Sequence, residues 1–281
     1  MLTLRTMTAA DMPLGLELCR LAGWNQLEAD WQRLLALAPD GCFVGEENGH
    51  PCGTGTTACY GTRTAWIGMI LVHPDFRNRG IGTAIMDKLI AHLRAQKIES
   101  IKLDATDLGR PVYLKLGFKD ERPIHRYKGK TPPGIAADSK AQPIQPADWR
   151  AIAKIDRAAF DADRMDLLRL LRREGNVTAI VRAGREVRGY GFARTGFNAS
   201  FLGPVVATDP GAARSVVETL LARLPEGLVF WDILPDNVAS KELAHSLGFE
   251  AARLLTRMYL GSRVHPGDVN LVYGAAGFEL G

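Results

Sequence analysis

The chain has 281 residues, of which 46% are hydrophobic and 23% charged, and a net charge of +4, the balance of an ordinary globular protein long enough for two domains. Its basic residues are scattered rather than blocked, which argues against a nucleic-acid partner. No apolar run approaches the ~18 residues of a membrane span, and no secretory leader is visible, so no membrane is expected and the cytoplasm is the expected compartment.

In chain order, Leu2 to Thr6 predicts a first strand. Thr8 can cap a helix through Leu14, Leu18 and Leu21, and Trp24-Asn25-Gln26 separates it from a second helix through Trp31, Leu34 and Leu37. Cys42 to Gly45 and Gly53 to Tyr60 read as paired strands about the turn Glu47-Asn48-Gly49. Trp66 to Val72 is a short apolar run, a buried strand, and Ile81, Ile85, Leu89 and Leu93 recur at helical spacing to about Lys97. Ile101 to Asp104 is a fifth strand, followed by a short helix around Val112 to Leu116 and a last strand from Phe118. The four cysteines and the histidines, His265 among them, lack ligand spacing, so no metal is expected.

Everything else is organised around Val72-His73-Pro74-Asp75-Phe76-Arg77-Asn78-Arg79-Gly80-Ile81-Gly82-Thr83. A strand, a turn with two arginines and two glycines, and a helix start make an anion site. The helix leaves unpaired N–H groups and the positive end of its dipole at the turn, and glycine lets a phosphate approach the backbone.

The pattern Arg-x-x-Gly-x-Gly after a Val-x-Pro strand end resembles the acyl-CoA-binding motif of the GNAT (Gcn5-related) N-acetyltransferases. So do Leu103-Asp104-Ala105-Thr106 and the following Gly109-Arg110-Pro111-Val112-Tyr113-Leu114-Lys115-Leu116-Gly117-Phe118, with its ending Tyr-x-Lys-Leu-Gly-Phe. The resemblance implies an α/β fold, a mixed and mostly antiparallel sheet flanked by helices, with acetyl-CoA as acyl donor. It assigns the diphosphate to Arg77, Asn78, Arg79, Gly80, Gly82 and Thr83. The pantetheine arm falls to the main chain of the fourth strand near Ile70 and Val72, where strands four and five splay. Tyr113 is the general acid for the departing thiolate.

The base is less legible. Tyr60 to Val72 holds no carboxylate, and Asp104, at the end of the fifth strand, is the best remaining acid. An Asp bonding the next turn, a water chain and a residue of the second domain stay open beside it. Acceptor contacts are expected from Trp24 and Asn25, with added negative charge from Asp232.

Gly129 to Pro143 reads as a linker, and the residues beyond it repeat the pattern of the first half. Gly189-Tyr190-Gly191 falls opposite Gly53-Thr54-Gly55, and Leu247-Gly248-Phe249 opposite Leu116-Gly117-Phe118. The expected organisation is a GNAT domain over 1–128, a linker over 129–143 and a degenerate GNAT-like domain over 144–281. Opposite the glycine turn, the second copy has Asp209-Pro210-Gly211-Ala212-Ala213-Arg214-Ser215, and opposite Tyr113 it has Ala244. The reading is an N-acetyltransferase acting by direct transfer on a primary amine, a small molecule before a protein lysine or N-terminus, as a monomer (an internal pseudo-dimer) or a homodimer. A non-catalytic acyl-CoA sensor is the rival.

Overall fold

In the computed structural model, which describes residues 1–184, 186–263 and 267–281, the first half follows the predicted order. It comprises β1 (Leu2–Thr6), α1 (Met12–Leu21), α2 (Glu28–Leu37), β2 (Phe43–Glu47), β3 (His50–Tyr60), β4 (Thr64–Val72), α3 (Ile81–Ala95), β5 (Ser100–Ala105), α4 (Arg110–Lys115) and β6 (Lys119–Lys130). The second half repeats it as α5 (Trp149–Phe160), α6 (Met165–Arg173), β8 (Val177–Ala183), β9 (Glu186–Arg194), β10 (Ser200–Ala207), α7 (Pro210–Arg223), β11 (Leu228–Ile233), α8 (Val238–Ser246) and β12 (Glu250–Gly261). A short β7 (Ala141–Gln142) precedes it and β13 (Val272–Gly274) follows. The stretch read as a linker is thus partly strand, because β6 runs on through Gly129 and Lys130 and β7 pairs with β8.

Among the described residues the strands form one sheet in the order β1-β2-β3-β4-β5-β12-β6-β11-β10-β9-β8-β7, with β13 added on β10. Each half therefore lends its last long strand to the other. β12 lies antiparallel to β5, and β6 lies antiparallel to β11. Two buried ion pairs stand at equivalent points of this exchange. Arg257 on β12 faces Asp104 on β5, and Arg126 on β6 faces Asp232 on β11. Removing one partner of such a pair costs about 3–5 kcal/mol, enough to penalise a slipped register.

Helices α1, α2, α5 and α6 share one face of the sheet and a single apolar core, in which Leu18, Trp31 and Leu34 of the first half join Ile152, Leu168 and Leu171 of the second. On the other face α3 and α7 each cover their own half. The repeated glycine pair explains that packing. A Cβ at Gly55 would come within 2.5 Å of Ile85 on α3, and one at Gly191 within 2.9 Å of Val216 on α7. No helix among the described residues is long and apolar enough to cross a membrane.

Candidate active site

β4 and β5 run parallel only through Thr64–Ser100, Ala65–Ile101 and Trp66–Lys102, then part. Just past that point β4 bulges. Met69 and Ile70 stand opposite the single residue Gly55, Met69 takes a φ of 53°, and its carbonyl accepts from Thr54 Oγ1 at 3.0 Å. A bulge re-aims main-chain groups away from the ladder. The β5-facing edge of β4 beyond Trp66 therefore opens into a notch.

The glycine turn closes one end of this notch. Gly80 caps α3 with a φ of 78°, a conformation that suits glycine, and no side chain caps the helix. A Cβ on Gly82 would meet only Val72, at 3.6 Å, so the space over the first turn is open. A groove runs from there past Ile70, Val72, Arg77, Asn78 and Thr83 to Tyr113. Arg77 Nε donates to the Val72 carbonyl at 3.1 Å. Arg79 departs from the expectation, since its guanidinium turns away from the groove to Glu47, at 2.5 Å, and to the Asp75 carbonyl.

Tyr113 lies where this groove meets a second cavity of about 740 Å³, counting the part open to solvent. Burial pushes its phenol up to about 12, so it holds its proton. The second cavity is walled by Trp24, Leu255 and Phe278, with Gln26, Arg253 and Glu279 as polar groups. Trp24 lies in this wall. Asn25 is not in that wall, because its side chain is spent on the loop of the other half, accepting from the backbone of Asn198 and Ala199 and donating to the Ala199 carbonyl at 2.9 Å.

The two aspartates also differ from expectation. Asp104 borders the cavity, but its side chain is 0% exposed and both oxygens are held by Arg257, at 2.8 and 3.0 Å. Asp232 is likewise bidentate to Arg126, at 2.7 Å to each oxygen. Both have the geometry of structural ion pairs. Sequence reasoning missed Phe278 and Glu279, which arrive on the segment 275–281. That segment crosses from the second half to the first, where the Leu280 carbonyl accepts from Tyr60 Oη at 2.7 Å. Its one signal in the sequence is a lone carboxylate in a Gly- and Ala-rich stretch with no counterpart in the repeat.

The four thiols are free, and burial pushes those of Cys19 and Cys42 up to about 12, far from a nucleophile's range. No metal-ligating cluster occurs among the described residues, and His265 lies outside them.

The second half builds the same notch. β10 and β11 pair through Ser200–Val229, Phe201–Phe230 and Leu202–Trp231, then part beside a bulge at Gly203 and Pro204. Here β13 fills the opening, pairing with β10 at Val205 and Val206, while Ala275 N donates to the Asp232 carbonyl at 2.8 Å. The start of α7 is occupied as well, because Asp209 caps it by accepting from Ala212 N at 2.9 Å. Phe249 N donates to the Ala244 carbonyl as Phe118 N does to that of Tyr113, so Ala244 is the true counterpart of Tyr113.

Comparison with known proteins agrees with this two-fold plan. The acetyltransferase (GNAT) family profile matches residues 12–118, and an acetyltransferase (GNAT) domain profile matches residues 152–274. The chain belongs to the GNAT acetyltransferase family. Like other GNAT enzymes it is a transferase, of a family that uses acyl-CoA donors and amine acceptors. It is 27% identical over 242 residues, 83% of each chain, to the uncharacterized N-acetyltransferase YitH of Bacillus subtilis (strain 168). Similarity to the holothin acyltransferase of Pseudoalteromonas sp. (strain SANK 73390) is 24% over 260 residues, 92% of this chain and 87% of that one. In fold, this GNAT chain superposes on a Pyrococcus horikoshii protein described as an acetyltransferase with a TM-score of 0.85 at 24% identity, covering 100% of this chain and 96% of the other.

Proposed function

We propose that the protein transfers an acetyl group from acetyl-CoA to a primary amine of a small molecule, directly, in a ternary complex formed at the notch of the first half. The observation that carries this reading is the junction at Tyr113 of an open helix-start groove and a second, mainly apolar cavity.

The uncapped start of α3 offers the N–H groups of its first turn to a diphosphate, and Arg77 and Asn78 flank that position. Charge-assisted hydrogen bonds of this kind contribute about 1.5–3 kcal/mol each. The β5-facing edge of β4 at Ile70 to Val72, where among the described residues no strand pairs and only the Val72 carbonyl is taken up, by Arg77, can pair with the pantetheine arm as a further strand would, with the thioester carbonyl beside the bulge at Met69. Tyr113, still protonated, stands at the sulfur end to return a proton to the departing thiolate. A recess walled by Trp24, Leu255 and Phe278 suits a small molecule with an apolar body, and one relative is named as acting on holothin.

The test is calorimetry with acetyl-CoA followed by an amine panel read by thiol release. Stoichiometric binding that Gly82→Asp weakens by about 30- to 150-fold, with turnover of at least one amine, is the expected result. Binding without turnover of any amine would favour the sensor, and binding that survives at the second half alone would overturn the assignment.

A further inference from the structure

Glu279 stands apart from the other buried carboxylates of this molecule. Asp104, Asp232 and Asp156 are each clasped by an arginine at 2.7–3.1 Å. The Glu279 side chain is only 7% exposed, yet its closest cation is Arg194, at 3.9 Å, and its one side-chain hydrogen bond, from Gln26 Nε2, is 3.5 Å long. Arg194 is committed elsewhere, to the Ala276 and Gly203 carbonyls and to Asp30. A buried carboxylate with so little compensation is costly unless something else uses it.

Its position says what that use is. Glu279 packs directly on β4 at Gly68, where an added Cβ would lie 2.6 Å from its own. Gly68 is the residue before the bulge at Met69 and Ile70, so Glu279 borders the cavity next to the place where a thioester carbonyl is expected. Gln26 Oε1, also in this cavity wall, is buried without a hydrogen-bond partner. Gln26 Oε1 without a donor and a Glu279 carboxylate with one long side-chain hydrogen bond leave room for a cationic N–H donor, in a cavity that Arg126 and Arg253 also line. Trp24, Leu255 and Phe278 supply an apolar wall beside it.

We propose that Glu279, delivered by the second half, is the proton acceptor for the acceptor amine, which is a cationic primary amine on an apolar or aromatic body. This rests on the acetyltransferase reading above. The ammonium gives one proton to Glu279, and the neutral nitrogen then attacks the thioester carbonyl carbon. As the C–S bond breaks, Tyr113 protonates the thiolate and recovers its proton from the nitrogen through water. Products are the amide and the free thiol, with one proton passed from Glu279 to solvent.

Several groups set the titration of Glu279. Burial raises it, Asp30 on α2 raises it further, and Arg194 on β9 and Arg126 on β6 oppose them. Tyr60 on β3 and Cys19 on α1 also interact with it, both neutral at ordinary pH, and Asp104, Tyr113 and Arg253 line the same cavity. A base must be ionised to work, so activity should rise with pH through a midpoint above the ordinary carboxylate range.

The test uses the full chain with acetyl-CoA and two sets of amines, benzylamines, which are cationic at neutral pH, and anilines, which are not. Glu279→Gln is expected to lower kcat/KM for benzylamines by about 10²-fold or more, and for anilines by less than about fivefold. It should also erase the acidic limb of the pH profile and leave acetyl-CoA affinity within about twofold. Glu279→Ala should do the same, with its own melting curve and acetyl-CoA affinity checking that it folds. An equal fall for both amine sets, or an unchanged benzylamine rate in a folded variant, would overturn the assignment of Glu279 while leaving the transferase reading intact. A wild-type protein that binds acetyl-CoA but releases thiol to neither set would remove the transferase reading and this assignment with it.

Discussion

β4 and β5 part after Trp66 and Lys102, and β10 and β11 part after Leu202 and Trp231, each beside a bulge of two residues against one. In the first half the opening meets an uncapped helix start and Tyr113. In the second it is closed three ways. β13 lies in it, Asp209 caps the helix, and Ala244 replaces the tyrosine. Pro204, beside Gly203 in the second bulge, has no N–H, where Ile70 beside Met69 does. The same backbone can thus carry a ligand notch or bury it, and the choice rests on a short added strand and a few side chains. Closing the second notch also releases residues 275–281 to reach across and finish the first, so the two fates are coupled.

This contrast can be broken from either side. Giving the first half the second half's loss, Tyr113→Phe should lower kcat by about 10²–10⁴-fold with little change in acetyl-CoA affinity. Because the phenol is pushed up to about 12, wild-type kcat should not fall on the alkaline side until well above the ~10 of an ordinary tyrosine. Steady-state rates over pH measure both. Next, the paired strand exchange should respond symmetrically. Asp104→Asn and Asp232→Asn should each destabilise the fold by about 3–5 kcal/mol in denaturant titrations. A much smaller loss for Asp104→Asn, accompanied by a changed pH profile, would return Asp104 to the role of base. Third, Gly82→Asp puts a carboxylate into the open space over the first turn of α3 and should weaken acetyl-CoA binding by about 2–3 kcal/mol, roughly 30- to 150-fold by calorimetry. The smallest effect belongs to the second half. Asp209→Ala should cost about 1 kcal/mol of stability as a lost helix cap and still yield no second acetyl-CoA site, since β13 stays in place.

What could be read from the sequence was local. The glycine turn, the helix periods and Tyr113 within its motif depend on residues a few positions apart, and the internal repeat shows because both copies keep the same spacings. The strand exchange could not be read, because β12 carries the pattern of a last strand whichever half it joins. Asp104 looked free for the same reason, its partner Arg257 being 153 residues away. Asn25 looked like an acceptor contact because nothing nearby announces the loop at Asn198, 173 residues on. Arg79 fits the motif by position, yet Glu47 across the sheet edge draws its charge aside.

The crossed placement of β6 and β12 means that neither copy is a self-sufficient module. Severed between the repeats, the first piece would hold Asp104 without its arginine and a sheet edge without its neighbour, and the second would face the mirror of that deficit. Each would have to recruit another piece of the same kind to close its sheet. Duplication here has therefore tied a copy with a filled notch to one with an open notch, and each persists as part of the other's sheet.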